Sequence, residues 1–186
     1  MKLIVVSDIF GKTEALVQLT DQLSPRYRHV AVIDPYSGQS INFKNEETAY
    51  QHFQKYCGLN KLNELLGTEI EKSDEKIDIL GFSVGGTSAW EISGKSFSKP
   101  IRNIVCFYGS RIREKTNISP LFPTSLIFPA IEKGFELEPV IRIVEKKKNV
   151  EIIRTELLHG FMNRQSINFS ETGYKYFSEW LVKKAA

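Results

Sequence analysis

The chain has 186 residues, a formal net charge of +3 and 41% hydrophobic residues, which fits one domain with a sizeable core. The two cysteines, Cys57 and Cys106, lack the spacing of a disulfide framework or a zinc site, and the basic residues are scattered apart from Lys146–Lys148, so we expect no nucleic-acid partner. The N-terminal apolar run is too short for a signal peptide, and no segment reaches the roughly 20 apolar residues of a membrane span. We therefore expect a cytoplasmic protein that does not bind a membrane.

Short apolar runs bounded by turn residues alternate with helical patterns along the chain. Strands that are apolar on both faces need helices on both sides, so the pattern predicts an α/β fold: a three-layer αβα sandwich with a mostly parallel sheet of about six strands, in a single domain over residues 1–186. The predicted strands are Leu3–Ser7, Val30–Asp34, Ile77–Phe82, Ile101–Tyr108, Ser125–Ala130 and Val150–Arg154. The predicted helices are Lys12–Leu23, Glu46–Tyr56, Asn60–Ile70, Gly86–Ile92, Glu136–Lys148 and Glu171–Val182.

Residues 35–74 interrupt the alternation, because they are longer than a simple crossover needs. One interpretation is a crossover helix with an additional packing helix. The other is a partial helical lid over an active site.

The segment from Ile77 to Gly86 carries the strongest chemical signal. An apolar strand runs directly into Gly81-Phe82-Ser83-Val84-Gly85 and then into a helix of small residues. This G-x-S-x-G motif between strand and helix is typical of a nucleophile elbow, in which a strained turn exposes a serine and the helix N-terminus favours a nearby anion. The pattern predicts Ser83 as a nucleophile, against the alternative of a glycine-rich turn without chemistry.

A serine hydroxyl needs a general base and a group that orients that base. In folds with this elbow the base follows the nucleophile in the chain, which leaves His159 as the candidate and puts His29 and His52 too early. No aspartate follows Asp78, so the orienting acid is either a glutamate or absent. Glu132 follows the predicted strand that ends at Ala130 and is the main candidate, and Glu136 is its nearest competitor.

An oxyanion hole needs two amide donors, one from the residue after the nucleophile and one from the loop after an early strand. Val84 supplies the first, and Ile9 or Phe10 supplies the second, with Ile9 as our choice. Asp8 in the same loop is a candidate for hydrogen bonding near the serine or to substrate, or alternatively a helix cap or turn residue.

Taken together, these segments resemble the dienelactone hydrolase family of the α/β-hydrolases over nearly the whole chain. The matching segments are Asp8–Gly11, Val32–Gly38, Gly81–Gly86, Phe107–Gly109 and His159–Asn163. The resemblance implies an acid at the position of Glu132, where the family usually has aspartate. Ser83 stands where the family's name-giving enzymes have cysteine, which favours an ordinary serine esterase, and the chain aligns from the third strand of the full fold, so we expect a smaller sheet.

The predicted function is hydrolysis of a small-molecule ester, thioester or lactone through a serine acyl-enzyme. Phe10, Tyr108 and Phe161 are predicted to contact the substrate together with Asp8, and an apolar or aromatic acyl group is expected. Neither a metal nor an organic cofactor is expected, and a homodimer is possible. The alternatives are a binding protein that keeps the hydrolase shape without activity, and an acyltransferase with the same triad.

Overall fold

A computed structural model describes residues 1–185 and contains one six-stranded sheet in which every strand pairs in parallel. The strands are β1 (Lys2–Val6), β2 (His29–Ile33), β3 (Ile77–Phe82), β4 (Ile101–Phe107), β5 (Thr124–Phe128) and β6 (Val150–Arg154). The helices are α1 (Glu14–Leu23), α2 (Glu46–Tyr56), α3 (Gly58–Glu71), α4 (Val84–Ser93), α5 (Leu137–Val144) and α6 (Glu171–Lys184).

The sheet is buried on both faces, because successive side chains of a strand point to opposite sides. In β1, Ile4 and Val6 pack into a cluster that includes side chains of α3, α4 and α5, whereas Leu3 and Val5 pack against α1 and α6. The predicted three-layer αβα architecture is confirmed, and the sheet is wholly rather than mostly parallel.

The strand order is β2-β1-β3-β4-β5-β6. The direction in which successive strands are added to the sheet therefore changes between β1 and β3. The chain passes outward from β1 to β2 and then crosses back to β3 on the other side of β1. Loops that leave the carboxyl ends of two such strands diverge and open a crevice, which is where open α/β sheets bind ligands. Here the loop that begins at Ser7 and the turn at Ser83 meet at that point.

The long connection between β2 and β3 contains two helices with different surroundings. Leu62, Leu66 and Ile70 of α3 are fully buried in the core, so α3 is the crossover helix. Helix α2 contacts α3 and sends Phe53 into the same core. This arrangement is the first of our two interpretations, and a lid function for residues 35–74 stays a prediction.

Helix α5 differs most from the sequence prediction, because it ends at Val144 and not at Lys148. Its buried residues Val140, Ile141 and Val144 complete the apolar stripe, and Lys146 and Lys148 beyond it are exposed. The chain then turns through Asn149, which has a left-handed backbone at φ 69°, and enters β6.

Candidate active site

Ser83 occupies a strained turn between β3 and α4. Its backbone has φ 52° and ψ −111°, a conformation that non-glycine residues rarely adopt. Two main-chain bonds hold the turn, since Ser83 donates to the carbonyl of Phe107 at 2.9 Å and accepts from the amide of Thr87 at 2.9 Å. A Cβ atom at Gly81 would overlap the backbone of Gly85, so the first glycine of the G-x-S-x-G motif is required sterically.

His159 lies next to the serine hydroxyl. Its Nε2 is 2.9 Å from Ser83 Oγ, and its side chain is 28% exposed, so the pair is accessible from outside. The side-chain amide of Asn168 donates to the His159 carbonyl at 2.9 Å, and Gly160 adopts φ 89° directly after the histidine. These features fix the loop that directs the imidazole toward the elbow.

Glu132 lies on the opposite side of the imidazole ring. Its Oε1 is 2.7 Å from His159 Nδ1, and its side chain is only 7% exposed. With Nδ1 donating to this carboxylate, Nε2 is left to accept the proton of the Ser83 hydroxyl. Glu136 is exposed and immediately precedes α5, so of the two predicted acids it is Glu132 that contacts the histidine.

The two backbone amides predicted for the oxyanion hole, those of Val84 and Ile9, lack a protein acceptor within residues 1–185. Val84 is the first residue of α4, so its N–H has no partner within the helix. The N–H of Ile9 likewise has no acceptor among the described residues, whereas the N–H of Phe10 donates to Asp8 Oδ1 at 2.9 Å. Of the two amides that we considered in this loop, only that of Phe10 has an acceptor in the part of the chain that the structure describes.

Asp8 is buried between the loop after β1 and the loop after His159. In addition to the Phe10 amide, it accepts a 2.6 Å hydrogen bond from the side-chain amide of Asn163. Burial raises the pKa of Asp8 to about 6, and the bonds from Asn163 and Phe10 partly oppose that rise. Both carboxylate oxygens thus accept hydrogen bonds inside the protein, and Asp8 links the two loops. The substrate contact of Asp8 stays a prediction.

The aromatic residues predicted to contact substrate are buried. Phe161 is 0% exposed and packs on Phe107 and Phe177, so its predicted substrate contact is corrected to a core position. Tyr108 is 1% exposed, with its ring centroid 4.9 Å from that of His159, and therefore packs against the imidazole inside the protein. Phe10 is 7% exposed and faces away from bulk solvent.

Two further residues make hydrogen bonds in this site that were not predicted from the sequence, where Tyr36 was expected to line the substrate pocket and Asn163 was given no role of its own. Asn163 is the last residue of the H-G-F-M-N segment that contains the histidine. A polar residue directly after the apolar residues Phe161 and Met162 was the feature of the sequence that could have indicated its role. Tyr36 donates its hydroxyl proton to the carbonyl of Ile9 at 2.6 Å. No local pattern indicates a contact between residues on two different loops.

Residues 1–185 contain no metal-binding cluster and no membrane-spanning helix. Within that range, no group of three or more His, Cys, Asp or Glu side chains is arranged to hold a metal ion. None of the helices in the same range has the length and apolar character needed to cross a bilayer.

The comparisons with known proteins relate this arrangement to a known fold. No family model matches the chain. YczH, an uncharacterized protein of Bacillus subtilis (strain 168), is 36% identical over 131 residues, which make up 68% of this chain and 63% of YczH. The chain thus matches less than two thirds of the length of that relative.

Three solved structures resemble the whole chain at 14% sequence identity. A dienelactone hydrolase-like protein from Klebsiella pneumoniae subsp. pneumoniae MGH 78578 superposes with a TM-score of 0.74, covering 99% of this chain and 85% of that one. The dienelactone hydrolase-like promiscuous phosphotriesterase P91 from metagenomic libraries gives 0.66, with coverages of 99% and 84%. The monoacylglycerol lipase of Paleococcus ferrophilus gives 0.65, with coverages of 98% and 94%.

The chain therefore has the α/β-hydrolase fold. The three structures named above are hydrolases, and two of them are dienelactone hydrolase-like proteins, so the resemblance inferred from the sequence is confirmed for the fold.

Proposed function

We propose that this protein is a serine hydrolase that cleaves a small carboxylic ester, thioester or lactone through an acyl-enzyme. The observation that carries the proposal is the continuous line of contacts from Ser83 Oγ to His159 Nε2 at 2.9 Å and from His159 Nδ1 to Glu132 Oε1 at 2.7 Å. A nucleophile, a base and a group that orients the base are thus within hydrogen-bond reach of one another. The hydrolase neighbours support the same class of reaction.

In the proposed acylation, Ser83 Oγ attacks the acyl carbon while His159 Nε2 takes the hydroxyl proton. The carboxylate of Glu132 holds the ring and stabilises the imidazolium that forms. The amides of Val84 and Ile9 donate to the oxygen that becomes negatively charged. When the tetrahedral intermediate collapses, the C–O or C–S bond breaks and His159 returns the proton to the leaving group.

In deacylation, water replaces the leaving group. His159 accepts a proton from that water as the water attacks the acyl carbon, and the bond to Ser83 Oγ breaks as the proton passes to the serine. This step releases the acid product and restores the free Ser83 hydroxyl. An alcohol or amine in place of water would give acyl transfer, so added acceptor alcohol tests the acyltransferase alternative through the ratio of ester to acid formed.

The test is hydrolysis of p-nitrophenyl esters of increasing acyl length by the wild type, Ser83→Ala and His159→Ala. Circular dichroism checks that each variant is folded. We expect turnover by the wild type and a loss of at least about 10³-fold in both variants. A folded wild type without turnover on any ester would contradict the proposal and favour a binding protein with a hydrolase fold.

A further inference from the structure

The peptide that joins Ile9 to Phe10 is held at both of its polar groups. The Ile9 carbonyl accepts the 2.6 Å hydrogen bond from the Tyr36 hydroxyl, and the Phe10 N–H donates to Asp8 Oδ1 at 2.9 Å. Since the carbonyl and the N–H of one peptide lie in the same rigid plane, rotating this peptide would break both bonds. The orientation of the loop after β1 is therefore fixed at this peptide.

Tyr36 is itself held by the turn that follows β2. The carboxylate of Asp34 accepts hydrogen bonds from the backbone amides of Tyr36 at 2.8 Å and Gly38 at 2.9 Å. The Tyr36 ring lies across Gly11, where an added Cβ atom would come within 2.8 Å of the ring. Gly11 also has φ +77°, a conformation that residues with a side chain rarely adopt. Both the space beside the Tyr36 ring and the backbone conformation therefore favour glycine at this position.

This network determines which amide of the loop remains available. The Phe10 N–H is used by Asp8, and the preceding N–H, that of Ile9, has no acceptor within residues 1–185. We propose that Tyr36 is a positioning residue of the oxyanion hole. Its hydroxyl holds one end of the Ile9–Phe10 peptide and Asp8 holds the other, so that the Ile9 amide faces the substrate oxygen. This inference rests on the proposed function and adds a residue to it.

The size of the expected effect follows from the role of the donor. Complete removal of one oxyanion donor lowers kcat by about 10²–10³. Loss of the Tyr36 hydroxyl leaves the Ile9 amide in place but frees one end of the adjoining peptide, so we expect a smaller decrease, about tenfold in kcat with KM within twofold. The ground-state substrate places little charge on the oxygen, which is why KM is spared.

Tyr36→Phe removes the hydroxyl and keeps the ring, and Tyr174→Phe is the matched control. Tyr174 is also buried, and its hydroxyl donates to a backbone carbonyl, that of Ala15, at 2.7 Å. The readouts are kcat, KM and the inhibition constant of a trifluoromethyl ketone, whose adduct with the serine carries a negatively charged oxygen. We expect Tyr36→Phe to lose about tenfold in kcat and in affinity for the ketone, and Tyr174→Phe to stay within twofold of the wild type in both.

Amide hydrogen exchange measures the fixed peptide without reference to activity. In the wild type the Phe10 amide should exchange at least about tenfold more slowly than the Ile9 amide, and Tyr36→Phe should reduce that difference. An active wild type in which Tyr36→Phe behaves like Tyr174→Phe would overturn the role of Tyr36 and leave the proposed function intact. A wild type that neither turns over esters nor binds the ketone would overturn the proposed function.

Discussion

The side-chain amide of Asn163 donates a 2.6 Å hydrogen bond to the carboxylate of Asp8, 155 residues earlier in the chain. Both residues are buried. Asp8 belongs to the loop that holds the Ile9 amide, and Asn163 belongs to the loop that holds His159. One hydrogen bond therefore joins the candidate oxyanion hole to the candidate general base.

Removal of the amide should destabilise the fold. In Asn163→Leu the buried Asp8 carboxylate loses a charge-assisted bond that no solvent replaces, so we expect the free energy of unfolding to fall by about 2–3 kcal/mol at pH 7. The same bond lowers the pKa of Asp8, which should rise in the variant. Urea denaturation measures the loss, with the exposed neighbour change Gln165→Ala as control, and equal midpoints for the two variants would refute the prediction.

Asp8 should also make stability depend on pH. Its pKa is about 6 in the folded protein against an ordinary value of 3.8, with burial as the main cause and with His159 lowering it and Glu46 raising it. The folded state thus holds this proton more tightly, so the stabilising contribution is complete below about pH 4 and is lost as the pH rises through 6.

Asp8→Asn removes this dependence. The free energy of unfolding of the wild type minus that of Asp8→Asn should therefore decrease by about 2 kcal/mol between pH 4 and pH 7. The comparison cancels titrations that the two proteins share and any constant effect of the substitution. Denaturant unfolding at both pH values gives the difference, and a value independent of pH would show that burial does not perturb this carboxyl.

The strained backbone at Ser83 should lower the stability of the fold. At φ 52° and ψ −111° a residue with a side chain is strained, whereas glycine is not. We expect Ser83→Gly to be more stable than Ser83→Ala by about 1 kcal/mol, since relief of strain exceeds the entropy that glycine adds to the unfolded chain. Thermal unfolding compares the two inactive variants, and a less stable Ser83→Gly would mean that the turn carries no strain.

The two glutamates of the loop before α5 should differ sharply in importance. Glu132→Gln removes the charge next to His159 Nδ1 and allows the wrong ring tautomer, so we expect kcat to fall by about 10²–10⁴. Glu136→Gln makes the same chemical change at an exposed position and should leave kcat within twofold. Ester hydrolysis by both variants gives the comparison, and similar losses in the two would exclude Glu132 as the orienting acid.

Much of the fold could be predicted from local sequence. The ends of β3 and β6 are as predicted, and those of the other four strands lie within two residues of their predicted positions, because short apolar runs between turn residues are typical of a sheet covered on both faces. Helix α5 was predicted too long, since Lys146–Lys148 suit an exposed helical end as well as a turn.

The candidate site was predictable where one segment carries the chemistry. The elbow at Ser83 and the position of His159 follow from motif and chain order, and the absence of later aspartates left only glutamates for the acid. Side-chain direction did not follow, because an aromatic residue near a motif suits either a pocket wall or the core, and Phe161 lies in the core. The contact between Tyr36 and Ile9 depends on two loops that only the folded sheet brings together.

The proposed function depends above all on an activated hydroxyl at Ser83. Intact-protein mass spectrometry after treatment with a fluorophosphonate measures this directly, because such a reagent bonds covalently to an activated serine. We expect one adduct per chain, located at Ser83 by peptide mapping and absent from Ser83→Ala and His159→Ala. A folded wild type without an adduct, or with the same adduct in Ser83→Ala, would contradict the account.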